Sequence, residues 1–200
     1  LKPERMRHEG VGVAAELVAL LAPKRATLPV MVVDGVVERV RLALGRDDFR
    51  AQQAQLQSMR LLAHLVLSRV APAAVLFDLL YTIVHVSPWR AEQSMPVAAL
   101  VRADPPGDCF RVRLVRAALD ALTARVAPLR ARVVRFLHYF QRYVLTKAPL
   151  PMDVEFAVAD TWAALHAPVR RVDSFDAAAE AVAKLEAAEA AQARRHAAHG

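Results

Sequence analysis

Apolar side chains recur three and four positions apart along most of the chain, the spacing that lines one side of an α-helix. Val133, Phe136, Leu137, Phe140 and Val144 show it in full and define a core-facing stripe. Arg135, His138 and Arg142 fall on another side of the same helix, where basic groups stay solvated or meet an acidic partner. Tyr139 and Tyr143 flank the seam one turn apart, each hydroxyl placed to reach water or a polar group. Proline, glycine or polar clusters break the pattern about every fifteen residues. The resulting segments predict helices over 11–21, 29–44, 51–69, 72–86, 108–126, 128–147, 153–166 and 174–196.

Punctuation supports these limits. Pro29, Pro72 and Pro128 sit near helix starts, where a missing N–H costs no bond. Asp173 and Ser174 supply capping oxygens for the last helix, and Asp176 complements its dipole. The segment 72–86 is apolar almost all round, which predicts it at the centre of the molecule. No Asn-Gly or Asp-Gly turn separates alternating runs, so the fold class is all-α. Long helices with short connections predict antiparallel hairpins stacked as an α-solenoid, although no fixed repeat period is visible. Residues 87–107, with four prolines, are expected to form an irregular excursion, and the alanine-rich tail 190–200 to fray.

Two hundred residues suit a single domain over 1–200. The chain opens on Leu1 without a signal-peptide pattern, which reads as a fragment of a longer protein. The longest uncharged run, Leu79 to Trp89, is too short to span a bilayer, so no membrane partner is expected. One cysteine, Cys109, allows no internal disulfide and fits a reducing compartment. The net charge of +7, carried mainly by arginine, would attract a polyanion or an acidic protein. The basic residues are scattered, however, and form no continuous run.

Catalysis needs converging acid, base or nucleophile groups, and the sequence offers none. His8, His64, His85, His138 and His166 each stand alone on a helix, and His196 and His199 share a tail. The glycines around Gly10 and Gly12 lack the strand and the P-loop lysine of a phosphate cradle. Cys109 has no partner base and reads as a small buried residue at a helix start. No catalytic residue, metal ligand or cofactor is assigned.

Four blocks occur in the order of a known family. They are "VVDGVVERVRL" from Val32, "AVLFDLLYTIV" from Ala74, "DPPGDCFRVRLVRAALD" from Asp104, and "FLHYFQRYV" from Phe136 with the acidic helix start and "DTWAAL" that follow. Together they resemble the third MIF4G domain of the second up-frameshift factor family, the regulators of nonsense transcripts 2. The resemblance implies a solenoid of HEAT-like helix hairpins whose opening helices lie upstream of Leu1. It implies an adaptor of nonsense-mediated mRNA decay, cytoplasmic and perinuclear, not an enzyme. The implied partner is the RNA-recognition-motif domain of the third up-frameshift factor, with RNA and the surveillance kinase as further partners. The family's partner surface is largely acidic and includes the region around Arg60 to Pro72. Here His64 and Pro72 stand at acidic family positions, Arg60 and Arg69 keep the family's basic character, and Asp34 and Glu38 keep its acidic one. These six residues are the expected protein-binding set. An RNA-binding module using an arginine-rich face is the alternative.

Overall fold

A computed structural model describes residues 10–44, 49–85, 104–147 and 149–199. The described residues form eight α-helices: α1 (Gly10–Leu21), α2 (Thr27–Ala43), α3 (Phe49–Leu67), α4 (Ala73–His85), α5 (Phe110–Leu122), α6 (Arg130–Leu145), α7 (Met152–Leu165) and α8 (Phe175–His199). No strand occurs among them. The expected irregular excursion over 87–107 lies outside the described residues except for 104–107, which form a bend and a turn. Two short 3-10 turns, Thr123–Arg125 and Ala127–Leu129, join α5 to α6, so the predicted helices over 108–126 and 128–147 are shortened at this junction.

The helices pack in two rows. Along one row α1 meets α3, α3 meets α5 and α5 meets α7; along the other α4 meets α6 and α6 meets α8, while α2 lies on α3. This is the stacked-hairpin arrangement of an α-solenoid, in which each helix pair buries its apolar stripe against the next. The core joins the rows through fully buried Met59, Leu62, Leu76, Leu80, Leu114, Leu119, Phe136, Leu137 and Tyr143. Phe136 stacks on Phe140 at 6.1 Å and meets Tyr81 and Phe77 edge-on, which ties α4 to α6.

The centre is α3 against α5, not α4. Ala74, Asp78 and Thr82 form an exposed strip one turn apart along α4. Composition misleads because α3 buries polar residues: Gln55, Gln57 and Ser58 are all inside, and the Ser58 hydroxyl donates to the Ala54 carbonyl at 2.9 Å. The Ser58 bond satisfies one of these groups, whereas Gln55 Oε1 and Gln57 Oε1 are buried without a hydrogen-bond partner among the described residues, so mean hydropathy understates how deep α3 sits.

A buried charge cluster pins the segment before α5. Asp104, with a fully buried carboxylate, receives Lys147 Nζ at 2.5 Å, the Tyr143 hydroxyl at 3.1 Å and Arg111 Nε at 3.5 Å. Arg111 also donates to the carbonyls of Ile83 and Leu44, at the C-terminal ends of α4 and α2, where helix carbonyls lack partners. Burial and the Asp104 carboxylate push the Tyr143 hydroxyl pKa upward. Asp108, one residue before the N-cap Cys109, accepts the Phe110 N–H at 2.8 Å and satisfies one free donor at the start of α5. Cys109 is buried, which raises its thiol pKa, so the helix start does not activate it.

Candidate functional site

Two antiparallel helices need a reversal, and the α3–α4 reversal is tight. The Arg69 N–H donates to the Val66 carbonyl at 3.0 Å and the Val70 N–H to the Leu65 carbonyl at 2.9 Å, the paired bonds of a Schellman motif. That motif requires a left-handed residue, and Arg69 occupies it with φ 59°. Glycine is the usual occupant, since a Cβ costs on the order of 1 kcal/mol there. An arginine held in this conformation is a strained residue at an exposed turn, a combination that concentrates at recognition sites.

The turn opens onto a groove of about 570 Å³ between the α3–α4 reversal and the 3-10 turns before α6. Arg69 and Arg125 supply its positive charge, and Val66, Pro72, Pro128 and Leu129 its apolar walls. Pro72 and Arg69 are exposed. A concave apolar surface edged by guanidinium groups suits a protein or peptide partner, because apolar contact gives affinity and fixed charges set orientation.

The six residues expected from sequence divide among four places. Arg69 and Pro72 share this groove. Asp34 and Glu38 lie together one turn apart on the exposed face of α2, beside Arg41 in a shallow hollow. Arg60, although one turn from His64, points into a separate groove lined by α3, α5 and α7. His64 turns the other way, against the backbone of Gly12 on α1. The split follows from the position of α3 inside the stack, with neighbours on more than one side.

Sequence reasoning missed a second polar feature that joins α4, α6 and α8. Arg135 is bidentate to Glu189, at 2.6 and 2.9 Å, and donates to the Tyr81 hydroxyl at 2.6 Å. Its guanidinium lies 5.3 Å from the Tyr81 ring centre and 5.1 Å from that of Tyr139. The Tyr139 hydroxyl donates to Glu186 at 2.8 Å. Hydrogen bonding to Arg135 holds Glu189 below the usual carboxylate range, and burial, then the Glu186 bond, raises Tyr139. Arg135 meets an acidic partner supplied by α8 itself. The signal was present as glutamates three apart at 186 and 189, but only the return of α8 onto α6 assigns them.

Among the described residues no three His, Cys, Asp or Glu side chains approach closely enough to hold a metal. No described helix is long and apolar enough to cross a membrane. The described helices define an all-α stack of helix hairpins of the helical-repeat class, with grooves facing outward. No family model matches the chain. It is 31% identical over 188 residues to the Arabidopsis thaliana regulator of nonsense transcripts UPF2, covering 93% of this chain. It is 28% identical over 194 residues to the Homo sapiens regulator of nonsense transcripts 2, covering 90%. It is 24% identical over 165 residues to the Saccharomyces cerevisiae nonsense-mediated mRNA decay protein 2, covering 80%. The chain therefore belongs to the regulator of nonsense transcripts 2 family. It spans about 15% of the length of these relatives.

Proposed function

We propose that this chain is a scaffold module of nonsense-mediated mRNA decay, corresponding to the third MIF4G domain of its family, that binds the RNA-recognition-motif domain of the third up-frameshift factor. The names of the relatives support the decay role. One observation carries the partner surface: Arg69, strained at the α3–α4 reversal, lines the groove of about 570 Å³ together with Pro72. With Arg69 and Arg125 there, the complementary partner presents carboxylates to this groove. Asp34 and Glu38 offer the partner's basic side chains a second patch on α2.

Isothermal calorimetry with the cognate recognition-motif domain tests the reading. Binding that weakens about tenfold or more in Arg69→Glu is expected, since charge reversal at a central contact costs more than 1.4 kcal/mol. Absence of binding at low salt overturns it.

An RNA-binding role is the second reading, favoured by the net charge of +7. Against it, Arg111, Arg113, Arg116, Arg130 and Arg135 are each engaged by a carboxylate or carbonyl of this chain. RNA affinity that falls steeply with salt would favour it over the protein-binding reading.

A further inference from the structure

Helix α7 ends the row α1–α3–α5–α7 and is apolar on two opposite sides. Val154, Val158, Thr161, Trp162 and Leu165 face the body and are buried. On the outward side Met152 and Phe156 stand one turn apart, 71% and 63% exposed, and exposed Ala163 continues the line two turns further on. Phe156 is the one exposed aromatic among the described side chains. Packing within the fold accounts for the inner stripe and leaves the outer one in water.

Charge along the outer stripe runs against that of the chain. The net charge is +7, yet α7 carries Asp153, Glu155 and Asp160 and no Lys, Arg or His. By helical geometry Glu155 borders the stripe on one side, and Asp153 and Asp160 border it on the other. Asp153 is balanced by Arg113 at 3.2 Å. Glu155 and Asp160 are exposed and have no cation within ion-pair distance among the described residues. The helix dipole favours acids in the first turn, which explains Asp153 and Glu155; it explains neither Asp160, past the middle of α7, nor Phe156 in water.

These features select one occupant. An apolar line with a free carboxylate on each side matches a helix whose own apolar residues recur three and four apart between lysines or arginines. Laid along α7, such a helix extends the row by one more member, and small Ala159 and Ala163 let the two backbones come close. A phosphodiester backbone or an acidic segment meets repulsion from the same carboxylates.

We infer that the outward face of α7 is a docking surface for a basic amphipathic helix of a partner protein. Its apolar side chains rest on Met152 and Phe156, and its cations meet Glu155 and Asp160. The surface shares no residue with the groove at Arg69 and does not depend on what that groove binds.

The test uses the whole 200-residue chain labelled with nitrogen-15. Three probes are titrated: a helical peptide with leucines three and four apart and lysines between them, the same peptide with glutamate for lysine, and oligouridylate. The expected result is a set of backbone amide shifts centred on 152–164 with the lysine peptide alone, weakening as salt rises. Phe156→Ser, and separately Glu155→Lys with Asp160→Lys, should each weaken binding about tenfold or more, while Arg69→Glu leaves it unchanged. The substituted α7 side chains are exposed, so the variants fold, which an unchanged thermal midpoint verifies. Shifts absent or centred elsewhere, equal binding of the glutamate peptide, affinity unchanged in either α7 variant, or α7 shifts produced by oligouridylate overturn the proposal. So does sedimentation equilibrium showing a dimer that Phe156→Ser dissolves, since that would assign the face to a second copy of this chain.

Discussion

At Arg69 one backbone angle bears on stability and on the proposed recognition surface alike. Its φ of 59° satisfies the Schellman bonds that end α3, yet places a branched cation where glycine fits without strain. Arg69→Gly is therefore expected to raise stability by about 1 kcal/mol in urea denaturation while weakening binding of the recognition-motif domain. A loss of stability would mean that the guanidinium contributes more to the fold than its exposed position implies. His138 gives a second residue-scale outcome. Burial holds its imidazole below the ordinary value of 6.5, so the folded state takes up a proton less readily than the unfolded one. Its share of stability is present above 6.5 and is lost as pH falls through and below that value. Chemical denaturation should show a smaller loss of stability on acidification in His138→Gln than in the parent chain. At this scale the sequence was least informative: the periodic pattern assigns Phe136 and Phe140 to the core, but no spacing reveals that Arg60 and His64 face different neighbours.

At the scale of elements, the helices were legible because their apolar stripes and proline starts agree. Thr27–Ala43 and Met152–Leu165 differ from the expected bounds by a residue or two, which is the ordinary ambiguity of helix ends. The position of α4 was not legible, since its uniform hydropathy hides the exposed strip at Ala74, Asp78 and Thr82. Nor was the attachment of α8. Ala178 and Val182 are buried against the body, and the Arg135–Glu189 and Tyr139–Glu186 bonds fasten the helix further along. These bonds are partly exposed, so removing both by Glu186→Ala with Glu189→Ala should cost only about 1 kcal/mol. Hydrogen exchange is expected to speed up in α8 and stay slow in α3 and α5. Equal acceleration everywhere would show that α8 is not a separate opening unit.

At the scale of the molecule, two rows of helices bury their stripes against one another and leave the reversals and inter-helix grooves facing outward. The stack makes the α3–α4 reversal adjacent to the turns before α6, two segments far apart in sequence that together build the groove around Arg69 and Arg125. The resemblance supplied the candidate residues, and the packing sorts them into those that share a surface and those that do not. The claim that this reversal is the partner-binding surface is tested most directly by hydrogen–deuterium exchange of the chain with and without the recognition-motif domain of the third up-frameshift factor. The account predicts slowed exchange over 66–73 and 125–129 on binding. Protection confined to α1, α2 or α8, with both of those segments unchanged, would contradict it.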